Sequence, residues 1–506
     1  MIAADDQADL TSWSVRALAT AVRSGEVTAT AIVEAHLAAL DRGAGLHAWL
    51  CRVDDRARVH AATLDAAHAR GEALGVLGGV PLGLKDLFVT EGIPTTAGSR
   101  ILAGWIPPYD GEHNTRMRDA GAVLLGKLSL DEFAMGSSNE NVPGEAVRNP
   151  WAHDRVAGGS SGGAAAAVAA RMVPFALATD TGGSIRQPAA LCGVVGLKPS
   201  YGRVTRAGMI AFASSLDQAG PITRSVRDAA VVLGALAGPS PGDATCVNEP
   251  VPDFAQACER GTQGLRVGVY RRALDGDGLD QDVRVAFFAA LEVLRDAGVT
   301  LVDIELPHAD LGVATYYVLC AAEASSNLAR YDGMRYGPRV TAGSVEASVE
   351  ATRSAGFGAE VRRRILLGTF VLRKAGYEAY YGRAARVRRL VADDYLEAFA
   401  HCDVIASPTA PQPAFGRGER NADPLAMYLG DVFTVGANLA GLPAISIPCG
   451  FTRSGPRLPI GLQLVGPPWR EDLVLTAAAG HEDATRWHHE RPPMLTDETS
   501  PPAGSS

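Results

Sequence analysis

Two turns rich in glycine and serine hold the residues best suited to chemistry in this 506-residue chain. The first, GGSSGG at 158–163, runs into the alanine-rich segment 164–170 and so predicts a turn at a helix start, where unpaired N–H groups gather. The second, DTGGSIRQP at 180–188, follows the apolar run VPFALA and places Ser184 at a strand end. Its successive amides predict a nest for an oxyanion.

A lysine ends another apolar run, in the sequence GLKD around Lys85. Burial lowers the pKa of a lysine from about 10.4, by up to several units, and thereby converts the side chain into a base. An ion pair between Lys85 and Asp86, or another acid, is the structural alternative. The sequence alone leaves both interpretations open.

Other chemistries fit these residues less well. The stretch GSSGG at 159–163 has the G-x-S-x-G composition of a hydrolase nucleophile elbow, but the preceding NPWAHDRVA does not read as the buried strand that an elbow requires. No spacing selects a partner among His308, His401 and His481. The run GAVLLGK at 121–127 resembles a phosphate-binding loop, yet Leu128 replaces its Ser or Thr. The eleven histidines show no HExxH spacing, so no metal is expected.

The first half of the chain predicts helices followed by buried strands. Residues 1–80 read as helical, with Thr28 as the cap of a helix whose apolar residues recur at helical spacing. Short apolar runs broken by glycine follow at 80–89 and 121–130. They predict strands of a sheet that is covered on both faces.

The second half predicts a strand–helix–strand unit at 265–305 and a mostly helical insertion at about 309–400. Strands then return in the runs CDVIASP, AISIPCGF and PIGLQLVG, followed by a helix at 471–480. Strands at both ends of the chain indicate one large α/β domain over residues 1–490, with a helical N-terminal region at about 1–75. The Pro/Ser-rich tail, 491–506, is expected to be disordered.

Composition excludes several classes of protein. The chain has 47 basic and 56 acidic residues, a net charge of −9, so a global electrostatic grip on nucleic acid is not expected. The N-terminus lacks the pattern of a signal peptide, and the most apolar stretch, 164–178, is interrupted by Arg171 and Pro174. Seven scattered cysteines without CxxC spacing indicate reduced thiols in a cytoplasmic protein. Arginines at 362–364 and 383–389 form either a solvated helical face or an RNA patch.

The two turns and the upstream lysine together resemble the amidase signature family. The resemblance extends over about residues 10–490 and implies an α/β fold with a central mixed sheet, covered by helices on both faces, and a helical insertion. Longer runs resemble one branch, the A subunits of tRNA-dependent glutamine amidotransferases that act on Glu-tRNA(Gln) or Asp-tRNA(Asn). These runs are KLSLDEFAMGSSNEN, YGRVTRAGMIAFASSLDQAGPITRSVRDAA, EASSNLARYDGMRYG, GFGAEVRRRILLGTFVL and NLAGLPAISIPCG.

The resemblance implies a Ser-Ser-Lys triad. Ser184 would be the nucleophile that forms an acyl-enzyme, Lys85 the neutral base, and Ser160, held after a cis peptide bond, the bridge between them. The oxyanion hole would consist of the amides of Thr181, Gly182, Gly183 and Ser184. Tyr316, Arg364 and Asp431 match positions that hold glutamine; Arg364 suits its α-carboxylate and Asp431 its α-ammonium.

The function that this resemblance implies is glutamine hydrolysis that supplies ammonia to a B subunit, which activates the misacylated tRNA with ATP. A small C subunit would complete a heterotrimer. This chain is expected to hold no cofactor, with ATP and Mg on the partner, tRNA bound mainly by the B subunit, and no membrane contact. A stand-alone amidase acting on another small amide remains the alternative within enzymes. An inactive scaffold or RNA-binding module is the alternative from another class.

Overall fold

A computed structural model of the chain describes residues 9–274 and 278–495. Within these residues, eleven strands form one mixed sheet in the order β1-β3-β2-β6-β8-β7-β12-β13-β11-β9-β10, and two strands form a separate hairpin, β4-β5. The strands are β1 (Trp49–Arg52), β2 (Pro81–Lys85), β3 (Val123–Leu128), β4 (Arg148–Asn149), β5 (Ala152–Val156), β6 (Phe175–Asp180), β7 (Val195–Lys198), β8 (Gln218–Thr223), β9 (Arg266–Val269), β10 (Thr300–Asp303), β11 (Val404–Pro408), β12 (Ala444–Phe451) and β13 (Pro459–Val465).

The described residues also form sixteen α-helices, which flank the sheet. They are α1 (Val15–Ser24), α2 (Ala29–Arg42), α3 (Asp54–Ala69), α4 (Glu112–Asp119), α5 (Gly162–Ala169), α6 (Arg186–Cys192), α7 (Val226–Leu236), α8 (Phe254–Ala257), α9 (Gln281–Asp296), α10 (Gly312–Asn327), α11 (Val345–Gly356), α12 (Ala359–Leu372), α13 (Arg383–Ala398), α14 (Pro424–Leu429), α15 (Val435–Leu439) and α16 (Glu471–Ala484). A π-helical turn, Glu378–Gly382, precedes α13.

Both faces of the sheet are buried, as the glycine-broken apolar runs predict. Along β6, Phe175 and Leu177 join a core with α7, α9 and α16, whereas Ala176 and Ala178 join a second core with α2 and α5. Since successive side chains of a strand point to opposite faces, a strand buried on both sides reads as a continuous apolar run. A third core, around α10, α12 and α13, covers the β11 end of the second face.

Several predicted elements are confirmed. Thr28 accepts a hydrogen bond from the Ala31 amide and begins α2. The 265–305 unit is β9, α9 and β10, with the two strands parallel. The three C-terminal runs are β11, β12 and β13, and the predicted insertion, 309–400, contains α10 to α13.

The structure corrects three of these predictions. Residues 49–52, within the region predicted helical, form edge strand β1 paired antiparallel to β3; the sequence WLC is rich in residues that favour strands. The NPWAHDRVA segment contains a strand, β5, though its middle residues are exposed and it pairs only with β4. The last helix continues to Ala484 instead of ending near residue 480. The tail prediction falls outside the described residues from 496 onward.

Candidate functional site

Lys85 lies in a cage of hydroxyl groups at the end of β2. Its Nζ is 2.7 Å from Ser160 Oγ, 2.8 Å from Ser161 Oγ and 2.9 Å from Thr179 Oγ1. Ser160 and Ser161 belong to the turn that leads into α5, and Thr179 lies near the end of the adjacent strand β6. The structure therefore places Lys85 and Ser160, both predicted from sequence, in direct contact.

The surroundings of Lys85 favour its neutral form. The side chain is fully buried, and burial lowers its pKa to about 7, although the charges of Asp131, Asp180 and Asp217 act in the opposite direction. Within the described part of the chain, no carboxylate lies within 4 Å of its Nζ. The alternative ion pair with Asp86 is not formed, because Asp86 pairs with Lys127 at 3.0 Å.

The glycines of the first turn allow backbone approaches that a side chain would block. A Cβ on Gly159 would lie 2.1 Å from Asp131 Oδ2, and Gly158 has a φ of +81°, in the region that favours glycine. The peptide bond between Gly159 and Ser160 is cis. The Asp131 amide donates to Ser160 O at 3.2 Å, which ties this turn to the loop after β3.

Ser184 lies in the second turn, between β6 and α6, and is 8% exposed. Its Oγ has no hydrogen-bond partner within residues 9–274 and 278–495, Ser160 included. In the same part of the chain the amides of Thr181, Gly182 and Ser184 donate to no protein acceptor. The Gly183 amide differs, because it donates to Asp180 Oδ1 at 2.9 Å.

A buried charge network fixes the second turn. Asp180 accepts from Arg186 Nε and Nη2 at 3.0 and 2.9 Å and from the Ile185 amide at 3.2 Å. Arg186 also donates to Gln463 Oε1 at 2.6 Å. Although burial opposes ionisation, the adjacent Arg186 holds the pKa of Asp180 well below its usual value. The turn that carries Ser184 is thus anchored by groups that remain charged.

Tyr316 on α10 touches the second turn from the helical side. A Cβ on Gly182 would lie 2.5 Å from Tyr316 Cζ, so only glycine fits there. On the opposite side of the turn, Thr434 Oγ1 donates to Gly182 O at 2.6 Å, and a Cβ on Gly183 would collide with the same threonine. The glycines predicted for an oxyanion nest therefore also allow two neighbouring elements to pack against it.

Arg364 faces inward from α12, although it belongs to the arginine cluster that the sequence left ambiguous. Its Nε donates to Glu360 Oε1 at 2.8 Å, and its guanidinium carbon lies 5.0 Å from the ring centroid of Tyr317 and 5.6 Å from that of Tyr428. Tyr428 in turn donates to Glu360 Oε1. Because the glutamate engages Nε, the terminal nitrogens of Arg364 retain donors suited to a ligand carboxylate.

Asp431 is a buried carboxylate whose protein partner is a hydroxyl group. Ser137 Oγ donates to its Oδ2 at 2.7 Å, and no basic side chain lies within 4 Å in the part of the chain that the structure describes. Burial raises the pKa of Asp431 to about 7. The charges of both Arg364 and Asp431 act on the hydroxyl of Tyr316, so the three predicted substrate residues surround one region next to the second turn.

The structure gives no support to the competing chemistries. Among the described residues, no histidine forms a hydrogen bond with Ser160, Ser161 or Ser184. In that same part of the chain, no group of three or more His, Cys, Asp or Glu side chains is placed to hold a metal ion. The segment 121–127 leads into β3 rather than a phosphate-binding loop. All seven cysteines are free, and no described helix is both long and apolar enough to cross a bilayer.

Sequence reasoning missed the residues that support the predicted ones. Ser161 and Thr179 complete the cage of Lys85, and Ser137 binds Asp431. Glu360 and Tyr428 orient Arg364. The four-residue spacing of Glu360 and Arg364 on a predicted helix was an available signal for one of these contacts. The others join segments far apart in the chain and carry no local signal.

Residues 31–475 match the family model described as Amidase. The A subunit of glutamyl-tRNA(Gln) amidotransferase from Anaeromyxobacter dehalogenans (strain 2CP-C) is 52% identical over 476 residues, which is 94% of this chain and 96% of that protein. The crystal structure of the A subunit of glutamyl-tRNA(Gln) amidotransferase from Thermotoga maritima is 40% identical, covers 94% of this chain and 96% of its own, and has a TM-score of 0.78. A structure of 6-aminohexanoate cyclic dimer hydrolase, 30% identical, covers 97% and 100% with a TM-score of 0.83.

Proposed function

The chain belongs to the amidase family, and we propose that within it this protein is the glutamine-hydrolysing subunit of a tRNA-dependent amidotransferase. One observation carries the choice of substrate. Two buried groups of opposite charge, Arg364 and Asp431, lie beside the turn of Ser184, and among the described residues the anion has no cation to pair with. A free amino acid supplies both missing charges, its carboxylate to Arg364 and its ammonium to Asp431.

Acylation begins with attack by Ser184 Oγ on the side-chain carbonyl carbon of glutamine. The proton of Ser184 passes to Ser160, whose own proton passes to the neutral amine of Lys85. The 2.7 Å contact between Lys85 and Ser160 supports the second transfer. The first requires Ser160 and Ser184 to come within hydrogen-bond distance when glutamine binds.

The tetrahedral intermediate carries its negative charge on the former carbonyl oxygen. The unengaged amides of Thr181, Gly182 and Ser184 are the donors for this oxyanion. The Gly183 amide joins them only by sharing its proton with Asp180, which it binds in the free protein. We therefore assign the larger part of the stabilisation to the other three amides.

Breakdown of the intermediate returns the proton from Lys85, through Ser160, to the leaving nitrogen, so that ammonia departs and an acyl ester remains on Ser184. Water then attacks the ester with the same relay as base and releases glutamate. The ammonia serves a partner B subunit that activates Glu-tRNA(Gln), or Asp-tRNA(Asn), with ATP and Mg, in a cytoplasmic heterotrimer completed by a C subunit. The name of the Anaeromyxobacter relative supports this assembly.

A stand-alone amidase is the second candidate, since 6-aminohexanoate cyclic dimer hydrolase shares the fold. The charged pair separates the two functions. Truncated amides would leave Arg364 or Asp431 buried without a partner, and such unpaired groups reduce transition-state binding steeply. We expect glutamine to be hydrolysed far faster than propionamide.

The nucleophile is tested by trapping. An electrophilic glutamine analogue should label Ser184, and Ser184→Ala should abolish both labelling and glutamine hydrolysis while leaving the melting temperature unchanged. Ser354→Ala, at an exposed serine on α11, is the matched control and should label normally. Labelling at Ser161 would instead support the G-x-S-x-G interpretation and overturn this assignment.

The substrate is tested by comparing kcat/KM for glutamine and propionamide. Arg364→Ala should reduce the value for glutamine at least tenfold, mostly through KM, and leave the low value for propionamide unchanged. Arg362→Ala, which removes an exposed arginine of the same helix, is the control and should change neither. A preference for propionamide in the wild-type protein would favour the stand-alone amidase.

A further inference from the structure

Helix α12 has an unusual outer face. Its inner face buries Arg364 and two apolar contacts against the core, as a surface helix should. The opposite face carries three large apolar side chains with substantial exposure: Leu366 at 71%, Leu367 at 39% and Phe370 at 41%. Apolar groups clustered on a solvent face mark interaction sites more often than single exposed ones do.

The same region concentrates positive charge. Residues 362–389 contain nine basic residues and one acidic residue, Glu378, in a chain whose net charge is −9. Two of the nine, Arg364 and Arg388, point inward to the site and to Ser215. Of the outward ones, Arg362, Arg373, Lys374 and Arg383 have no carboxylate within 4 Å in the described part of the chain.

We propose that this surface, the α12 patch, is where the partner B subunit docks, through an apolar contact rimmed by Asp and Glu side chains. The patch is defined by Arg362, Leu366, Leu367, Phe370, Arg373 and the exposed Tyr380 of the following turn. Its arginine-rich rim demands a complementary acidic rim, and its leucines need an apolar counterpart. This inference rests on the proposed function, which supplies the partner.

The leucines decide between a protein and a nucleic acid. Sites for single-stranded or duplex nucleic acid combine cations with polar or aromatic groups, because phosphates and bases offer little to an aliphatic side chain. Leu366, the most exposed member of the patch, lies at its centre. Phe370, the aromatic ring beside it, is itself covered by Arg373, whose guanidinium carbon is 3.9 Å from the ring centroid.

The position of the patch connects docking to catalysis. Arg364 projects from the other side of the same helix, and an α-helix is only about 10 Å across with its side chains. A partner bound to the outer face therefore fixes the helix that holds the carboxylate ligand of glutamine. We expect docking to lower KM for glutamine, and we expect variants of the patch to lose this stimulation only.

The test measures binding of the purified full chain to its purified B and C subunits. The double variants Leu366→Asp/Phe370→Asp and Arg362→Glu/Arg373→Glu should each weaken the Kd at least tenfold, since core contacts of an interface dominate affinity. Both should keep the glutaminase kcat and KM of the isolated chain, which also shows that they fold. Val59→Asp and Arg42→Glu, at exposed positions on α3 and α2, are matched controls and should bind normally.

Three outcomes would overturn the proposal. Wild-type affinity in both patch variants would place docking elsewhere. Loss of tRNA binding without loss of partner binding would make the patch an RNA site, and concentration-dependent dimerisation that the leucine variant abolishes would make it a contact between two copies of this chain. If wild type hydrolyses glutamine while only the docking expectation fails, the proposed function still stands. If wild type hydrolyses no glutamine, that function fails separately.

Discussion

Two lysines lie side by side at the ends of neighbouring parallel strands, and their surroundings differ completely. Lys85 on β2 and Lys127 on β3 are both fully buried. Lys127 Nζ lies 3.0 Å from Asp86 Oδ1 and also donates to Phe88 O and Thr95 Oγ1. Among the residues that the structure describes, Lys85 meets three hydroxyl groups and no carboxylate. The first arrangement holds a cation, and the second accommodates a neutral amine that can accept a proton.

A β-bulge separates the two environments. Leu82 pairs with Leu124, but Gly83 pairs with Gly126, so β3 contains one extra residue at this point. Lys127 consequently pairs with Leu84 and shares its face of the sheet, whereas Lys85 points to the other face with the two serines. Gly126 has a φ of +153°, and a Cβ there would lie 2.1 Å from Cys51 O. The bulge therefore depends on glycine.

The comparison shows that burial alone does not make a lysine a base. Burial lowers the pKa of both side chains, yet Asp86 raises that of Lys127 again. A nearby carboxylate would stabilise the protonated form of Lys85 in the same way. The bulge prevents this because it directs Asp86 and Lys127 towards each other, on the face away from the serines.

The largest expected effect is on proton transfer at Lys85. Lys85→Arg should reduce kcat for glutamine by about 10²- to 10⁴-fold, because arginine stays protonated and cannot serve as the base. Lys127→Arg is the matched control, since it keeps a cation beside Asp86, and its folded fraction should retain kcat within about threefold. Both are measured by steady-state kinetics on protein quantified by circular dichroism. Substantial activity in Lys85→Arg would show that this lysine also is structural.

The sequence predicts one member of this pair better than the other. GLKD after an apolar run places Lys85 at a strand end, and the family resemblance assigns its role. Nothing local distinguishes it from Lys127 in LLGKL, because the bulge depends on how β3 pairs with two other strands. The hydroxyl of Thr179 likewise joins the cage only through the register of β6 against β2.

The predicted glutamine site shows the same division. Arg364 and Asp431 could be assigned from the resemblance, and Tyr316 with them. The contacts that hold them involve Ser137, Glu360 and Tyr428, which lie as much as 294 residues away in the chain. Side-chain chemistry thus predicts which groups bind, while long-range packing decides how each one is oriented.

The second effect is on stability, and it concerns Lys127. Lys127→Met removes the cation of a fully buried ion pair and leaves Asp86 charged without a partner, which should lower the free energy of unfolding by about 3 kcal/mol. Urea denaturation followed by circular dichroism measures the change. The double variant Lys127→Met/Asp86→Asn should recover part of the loss. An equal loss in Lys85→Met and Lys127→Met would contradict the distinction between the two lysines.

The smallest effect is a pH dependence, and it identifies which lysine titrates in the working enzyme. The pKa of Lys85 is about 7, so below that pH the amine is protonated and kcat should fall tenfold per pH unit. The pKa of Asp431 is also about 7, and its carboxylate must be ionised to bind the ammonium of glutamine. Therefore kcat/KM, which reports the free enzyme, should fall more steeply, approaching one hundredfold per unit. Bound ammonium keeps Asp431 ionised, so kcat should show the single proton of Lys85. Lys127→Arg should leave both profiles in place. A shift of the acid limb in that variant would mean that the two faces of the sheet are electrostatically coupled, and the separation by the bulge would then be wrong.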